Sequence, residues 1–197
     1  MNGHADWLCK QIDKFDFTHE NVKIILSGAP KNQHELAFQT VIHNRSSRNG
    51  IMTKGAGLLK NGENGNGIAS RWYPETLQKR IKDIKKLSDK IGFVHGNGFT
   101  IIEKHLRKKR TALFLDPPYT VAGRELYRYS SIDHERLFYF ARRHQGPCLM
   151  TYDDSEEVRA WVRGNGLHFR RISMQNAHLA KKKELLISKD FKWLGDF

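Results

Sequence analysis

The sequence contains little cysteine and no long apolar run, and each shortage excludes a class of protein. Its two cysteines, Cys9 and Cys148, cannot form a disulfide framework and lack the spacing of metal ligands. The longest apolar runs, such as residues 112–115, are far shorter than the roughly 20 residues that cross a bilayer. Residues 1–6 show neither the basic start nor the apolar core of a secretory signal. We therefore expect a cytoplasmic chain that has no metal site and no membrane partner.

Positive charge is in excess along the chain. The 197 residues include 34 lysines and arginines but only 21 aspartates and glutamates, which gives a formal net charge of +13. Such a surplus attracts polyanions, and nucleic acid is the commonest polyanionic partner. The charge does not distinguish DNA from RNA, and a merely basic, soluble surface would show the same balance.

Because 39% of the residues are hydrophobic, the chain can bury a core, and one compact domain is the default expectation for this length.

The pattern of apolar residues predicts an α/β fold. Short apolar runs are typical of buried parallel strands, and amphipathic runs between them are typical of covering helices. The predicted helices span residues 5–12, 33–43, 75–91, 100–106, 132–143 and 155–163, and the predicted strands span residues 22–27, 92–94, 112–115, 148–152, 168–173 and 184–188. Ser130 and Asp133 are candidate caps of the helix at 132–143. We expect a mostly parallel sheet with helices on both faces and a C-terminal antiparallel strand pair.

Residues 53–90 differ in composition from the rest of the chain. Five glycines lie among lysines and asparagines between residues 53 and 70, which predicts a mobile loop with almost nothing to bury. After Pro74, apolar residues recur at helical spacing and lysines fill other positions, which predicts a helix with a basic face. This loop and helix are a candidate DNA-recognition insert in a domain formed by residues 1–52 and 91–197. A simply solvated charged face is the alternative.

The most informative segment is residues 111–119, an apolar run that ends in Asp116-Pro117-Pro118-Tyr119. In a parallel sheet, ligands bind beyond the carboxyl ends of the strands, where this run would place Asp116. The two prolines have a fixed φ and no N–H group, so the turn is stiff and its carbonyls are left to accept hydrogen bonds from a ligand. Two acceptors and the aromatic face of Tyr119 suit a planar group that carries an NH₂, such as the amine of a nucleobase.

Such a site also suits methyl transfer to that amine. An aromatic amine is a poor nucleophile while its lone pair is delocalised into the ring. Acceptors on both N–H bonds draw the nitrogen toward tetrahedral geometry and direct the lone pair at an electrophile, here a sulfonium methyl group. Positioning and electrostatics would then supply most of the catalysis, without a dedicated general base. The alternative is an ordinary strand-ending turn, since Asp-Pro and Pro-Pro are common turn signals.

Four separated segments together resemble the Dam-like class of DNA adenine methyltransferases, which transfer a methyl group from S-adenosylmethionine to the N6 amine of adenine. The segments are residues 44–50, 116–119, 151–158 and 183–187, with Arg48 where the family usually carries an aromatic residue. Their order along the chain is also the family's, and the resemblance covers roughly residues 36–190. It implies a partial Rossmann-like methyltransferase sheet and S-adenosylmethionine as the cofactor.

The resemblance also implies a role for each matching residue. Asp116 and the Pro117 carbonyl would hold the target amine, and Tyr119 would stack on an adenine that has been flipped out of the duplex. Asp116 would also contact the cofactor, and Asn97 stands where the family usually carries an acidic residue near the cofactor adenine. A further set of residues would contact DNA or shape the site, unless it forms only a capped surface loop: Asn44, Arg45, Arg48 and Asn49.

The resemblance breaks off toward the N-terminus. The family begins with a Gly-Gly-Lys segment and with a strand that leads to a Phe-x-Gly-Gly loop around the cofactor, and an acidic residue after the next strand holds the cofactor ribose. The nearest substitutes here are Ser27-Gly28-Ala29-Pro30, after a predicted strand, and the lone Gly55-Ala56-Gly57. We expect a truncated gene, a wrongly chosen start codon, or one piece of a split enzyme that has a partner subunit.

Three functions are therefore open from the sequence. The first is methyl transfer from S-adenosylmethionine to adenine in DNA. The second is DNA binding by a catalytically inactive remnant or a split-enzyme subunit. The third is methylation of guanine amines in RNA, because similar Pro-Pro-Tyr turns occur in enzymes of that kind. Residues 44–50 and 151–158 favour the DNA adenine class.

Overall fold

A computed structural model describes residues 2–52, 57–62, 65–119, 131–175 and 181–194 of the chain. The chain divides into two compact units, residues 1–94 and residues 95–197. Within the described ranges, no helix combines the length and the apolar composition that a membrane crossing needs.

The described part of the first unit is helical. Its helices are α1 (Asn2–Lys14), α2 (His19–Ser27), α3 (Gln33–Ser46) and α4 (Pro74–Lys86), with 3-10 turns at Arg48–Gly50 and Gly67–Arg71. Thr18 and Asn32 cap α2 and α3 by accepting backbone N–H bonds, and Pro74 begins α4 where a missing N–H is tolerated. Helix α1 packs against α3 and α4. The buried core of the unit contains Ile12, Phe17, Val22, Phe38, Ile42, Ile68 and Leu77.

The prediction of a strand at residues 22–27 is wrong, because this segment forms α2. A run of β-branched and apolar residues suggested a strand, but burial follows helical spacing: Val22 is fully buried, whereas Ile24 is 61% exposed. The segment Ser27-Gly28-Ala29-Pro30 therefore follows a helix and not the strand that a cofactor loop would require.

The glycine-rich segment is partly packed, which corrects the expectation that it has almost nothing to bury. Residues 53–56 and 63–64 lie outside the described residues, but Ile68 belongs to the core of the first unit. Gly62 has a φ of +64°, and a Cβ there would lie 1.9 Å from the carbonyl oxygen of Gly67. Glycine at this position therefore lets two stretches of backbone pack closely.

Helix α4 is shorter than predicted, because it ends at Lys86 instead of continuing to residue 91. Leu87 and Ile91, the last apolar residues of the predicted helix, are at least half exposed and do not belong to the buried core. The strand predicted at residues 92–94 is also wrong. These residues are irregular, and Phe93 is 89% exposed with no neighbouring strand to pair with among the described residues.

The contact of α4 with α1 places the predicted insert in the same unit as residues 1–52. Helix α4 keeps its lysine-rich composition, with Lys79, Lys82 and Lys86 exposed. A role of this segment in DNA recognition stays a prediction.

The second unit has an α/β fold. Its described elements are α5 (Gly98–His105), β1 (Leu113–Leu115), α6 (His134–Arg143), β2 (Cys148–Asp153), α7 (Glu156–Gly164), β3 (His168–Gln175) and β4 (Lys181–Ser188), with a 3-10 turn at Lys192–Leu194. Asp133 caps α6 by accepting from the Arg136 N–H at 2.9 Å, as expected. Ser130, the other candidate cap, lies outside the described residues.

The described strands form one mixed sheet in the order β1-β2-β4-β3. Strands β1 and β2 are parallel, whereas β4 is antiparallel to both β2 and β3. The predicted C-terminal antiparallel pair is confirmed. A mostly parallel sheet is not found among these strands, because β4 inserts between β2 and β3 in the opposite direction. Buried residues of the sheet and its helices form the core, including Phe138, Met150, Tyr152, Val158, Leu185 and Ile187.

A paired carboxylate connects β2, α7 and β3. The Asp154 side chain is 10% exposed and lies 2.6 Å from Arg159 and 2.8 Å from Arg171. Burial opposes its ionisation, but the hydrogen bonds from the two arginines outweigh burial and hold the pKa of Asp154 below its usual value. The folded state therefore favours the charged form of this side chain.

We expect Asp154→Asn to lower the free energy of unfolding at neutral pH by about 1.5–3 kcal/mol, the range for hydrogen bonds to charged groups. Because the folded-state pKa is lowered, this contribution is present above the ordinary aspartate pKa and is lost as the pH falls through the folded value. Denaturant unfolding of both proteins between pH 7 and about pH 2 would measure the difference. Asp89→Asn, in the exposed turn after α4, is the control. A constant difference at every pH would contradict this account.

Candidate active site

Asp116 lies at the carboxyl end of β1 and is held by the neighbouring strand. Parallel pairing places Leu115 opposite Met150, so the next residue of each strand also meets its neighbour. The Thr151 hydroxyl donates a hydrogen bond of 2.6 Å to Asp116 Oδ1. This hydrogen bond fixes the orientation of the carboxylate. Because the Asp116 side chain is otherwise exposed, its second oxygen can accept a hydrogen bond from a ligand.

The two prolines that follow restrict the turn. Pro117 and Pro118 are half-buried, and neither can donate a backbone hydrogen bond. No described residue donates to the Pro117 carbonyl. The Pro117 carbonyl is therefore an acceptor in the residue next to the Asp116 carboxylate.

Tyr119 is held by β4, the strand that pairs with β2 on the side opposite β1. Its hydroxyl donates to Glu184 Oε2 of β4 at 3.2 Å, and its ring lies nearly parallel to the ring of Tyr152, with 6.0 Å between the centroids and 23° between the planes. The Tyr152 hydroxyl in turn lies 2.8 Å from His134 Nδ1. Burial raises the pKa of the Tyr119 phenol, a hydrogen bond with Thr151 opposes part of the increase, and the Glu184 and Asp116 carboxylates add to it. Tyr119 is therefore a neutral, oriented ring at the edge of the site.

A cavity of about 750 Å³ opens beside this turn. Its volume is in the usual range for small-molecule sites. The start of α5, with Phe99 and Ile102, forms one wall, and the end of β1 forms another. Ile132 and Leu137 add further apolar lining. Asn97, Asp116 and Pro117 all line this cavity. The structure thus brings together the two segments in which the sequence predicts cofactor-binding residues.

Asn97 has a structural role in addition to its place in the cavity. Its Oδ1 accepts a 2.9 Å hydrogen bond from the Phe99 N–H and caps α5. A carbonyl oxygen can accept a second hydrogen bond, so the cap does not exclude a contact with a ligand. In the described ranges, no three His, Cys, Asp or Glu side chains form a group that could hold a metal ion.

The four residues predicted to bind DNA belong to the first unit. Asn44 and Arg45 are half-buried in the last turn of α3, and the Asn44 amide donates to the Gly50 carbonyl at 3.3 Å. Arg48 is exposed in the 3-10 turn that follows. The Asn49 side chain lies outside the described residues. A contact of any of these residues with DNA stays a prediction.

Sequence reasoning missed the supporting roles of Thr151 and Glu184. Both residues belong to segments that resemble the methyltransferase family, but nothing local in the sequence connects them to Asp116 or Tyr119. The connecting signal is the strand register, since the residue after β1 lies beside Thr151 of β2, and Glu184 of β4 pairs with Asp153 of β2. Register is a property of the folded sheet and is not visible in one strand alone.

No protein-family model matches the chain, and no curated protein matches it significantly.

The protonation of Tyr119 gives a direct test of this geometry. In the native protein, we expect Tyr119→Phe to leave the rise in tyrosinate absorbance near pH 10 unchanged, because the Tyr119 phenol does not contribute to it. After unfolding in guanidinium chloride, the same variant should lose its share of the rise, because all phenols then ionise near pH 10. An equal loss in native and unfolded protein would show that Tyr119 is not held as described.

Proposed function

We propose that this chain is an adenine-specific DNA methyltransferase that transfers a methyl group from S-adenosylmethionine to the N6 amine of a flipped adenine. The observation that carries this proposal is the Asp116 carboxylate, which Thr151 orients, beside Pro117 at the edge of a cavity that Asn97 also lines. The proposed fold is a partial Rossmann-like methyltransferase sheet, of which β1 carries the catalytic turn.

The site residues would activate the amine by accepting its two N–H bonds. Thr151 holds the Asp116 carboxylate in place before the substrate arrives, so little reorganisation is needed when charge develops on the amine. The Pro117 carbonyl would accept the second N–H bond. Tyr119, whose hydroxyl is bound to Glu184, would offer its ring to the flipped base. The proton of the amine can leave after transfer, so no separate base is needed.

The cavity would hold the cofactor at its adenine end. Asn97 would accept from the adenine amine, Phe99 would contact the ring and Asp116 would contact the cofactor near the substrate. When bound, S-adenosylmethionine supplies an electrophilic methyl group. Asn97 provides one acceptor oxygen where a carboxylate would provide two, so we expect this contact to be weaker than an acidic residue would make it.

The edge of the sheet favours a second candidate, which is DNA binding by a subunit that needs a partner for methyl transfer. Strand β1 is at the edge of the described sheet, and Phe114 on it is 65% exposed. An exposed strand edge with a large apolar side chain is a surface that a further strand or chain commonly covers. In that case DNA binding would persist in this chain without methylation.

The role of Asp116 is tested by Asp116→Ala. We expect at least a hundredfold loss of methyl transfer, because the variant lacks one of the two acceptors that activate the amine. Binding to duplex DNA should remain, since phosphate contacts supply most of that affinity. The measurement is transfer of a labelled methyl group to duplex DNA, followed by nucleoside analysis for N6-methyladenine, with Asp89→Ala as the control. Equal activity in Asp116→Ala would refute the mechanism.

Two further outcomes decide between the candidate functions. DNA binding by the unchanged chain, with no heat on titration with S-adenosylmethionine and no transfer, would support the subunit that needs a partner. Label that appears in guanine of RNA would support the RNA enzyme instead.

Asn97 offers a test of the cofactor site. We expect Asn97→Asp to strengthen S-adenosylmethionine binding about tenfold, which corresponds to ~1.4 kcal/mol, because a carboxylate accepts more strongly than an amide. Aspartate caps helices as well as asparagine does, so α5 should be preserved. Calorimetric titration measures the affinity. Asn32→Asp is the matched control, because Asn32 caps α3 with the same kind of bond at 3.0 Å. The same affinity in both variants would place the cofactor adenine elsewhere.

A further inference from the structure

An arginine from the 3-10 turn before α4 lies against the turn that ends α3. Arg71 Nη1 donates to the Ser47 carbonyl at 3.2 Å. Gly50 has a φ of +71°, and a Cβ at this position would lie 3.2 Å from Arg71 Nη2 and 3.3 Å from Asn44 Nδ2. The missing side chain of Gly50 therefore leaves room for the Arg71 guanidinium beside the Asn44 amide.

A second arginine, near the same turn, has no partner among the described residues. Arg45 is half-buried in the last turn of α3, and no described residue accepts a hydrogen bond from it or forms an ion pair with it. Burial lowers the pKa of Arg45, and the positive charges of Arg71 and Arg80 lower it further. Arg71 and Arg80 therefore lie close enough to Arg45 for their positive charges to act on it.

Within the described part of the chain, no carboxylate pairs with Arg45, Arg71 or Arg80. The C-terminal dipole of α3 favours one cation at its last turn, which would explain Arg45 alone. It does not explain the approach of arginines from the 3-10 turn and from α4. Partly desolvated like charges are stabilised when an anion binds among them.

We propose that Arg45, Arg71 and Arg80 form a phosphate-binding cluster that holds the backbone of duplex DNA. The guanidinium group matches two phosphate oxygens with two parallel N–H bonds, which suits it to this ligand. The Asn44 amide and the exposed Arg48 lie at the same turn and extend the positively polarised surface. The resemblance to methyltransferases pointed to Arg45 but not to Arg71 or Arg80. The choice of DNA rests on the proposed function, whereas the phosphate site rests on the arginines.

The experiment measures binding of the full chain to a dG·dC duplex without S-adenosylmethionine, across a range of salt concentrations. A duplex without adenine cannot be methylated at adenine N6, so the result is independent of catalysis. We expect Arg45→Gln, Arg71→Gln and Arg80→Gln each to reduce the slope of log K against log salt by about 0.9, the value for one phosphate contact. At 0.1 M salt this corresponds to about an eightfold loss of affinity.

Arg142→Gln is the matched control, because it removes the same charge from an exposed position on α6. Thermal unfolding of each variant shows whether the fold is intact. Arg71 bonds to the backbone, but Arg80 is exposed and makes no hydrogen bond to a described residue, so Arg80→Gln keeps the test valid if Arg71→Gln does not fold. Changes no larger than that of the control would overturn the proposal, as would an unchanged chain that does not bind the duplex.

The cluster and the proposed enzyme can fail separately. Loss of binding in the arginine variants, together with no methyl transfer by the unchanged chain, would support the cluster and refute the enzyme. Methyl transfer to adenine with control-like binding in all three variants would refute the cluster alone.

Discussion

The candidate site depends on the parallel pairing of β1 with β2. This pairing sets Leu115 opposite Met150, and so places Thr151, the next residue of β2, beside Asp116. A slip of one residue would turn every side chain of β1 to the opposite face and separate the two. The register is fixed by core packing, since Cys148, Met150 and Tyr152 of β2 are buried on one face. Hydrophobic packing of both strands, with Leu113 and Leu115 of β1 against the same core, therefore determines where the Asp116 carboxylate points.

The sequence was most informative where one local pattern decides the structure. The apolar run before Asp116, and the polar breaks around β2, predicted both strands and the helices α6 and α7 nearly in full. Prediction from the sequence failed where tertiary contacts decide the secondary structure. At α2, β-branched residues pack with helical spacing against the core of the first unit. Asp116 and Tyr119 were predictable because the turn is a single segment. Their partners Thr151 and Glu184 were not, because strand register joins residues that are distant in the chain.

Each unit contains a partly buried charge, and only one of the two has a partner among the described residues. In the second unit, Asp154 is nearly buried between two arginines, and each charge has a partner within the fold. In the first unit, Arg45 is partly buried beside further positive charge and no described carboxylate compensates it. A charge whose partner lies within the fold contributes to stability. A desolvated charge without one is an unfavourable feature of the free protein that an external ligand can relieve.

Strand β1 contributes three residues to the described sheet and pairs on one side there. Few backbone hydrogen bonds hold such a strand, so its amides belong to the part of a fold that opens and exchanges hydrogen before the global transition. The turn at Asp116 is attached to this strand. A molecule bound at the turn would therefore restrict local opening of β1, and part of its binding free energy would offset the entropy lost when the strand is ordered.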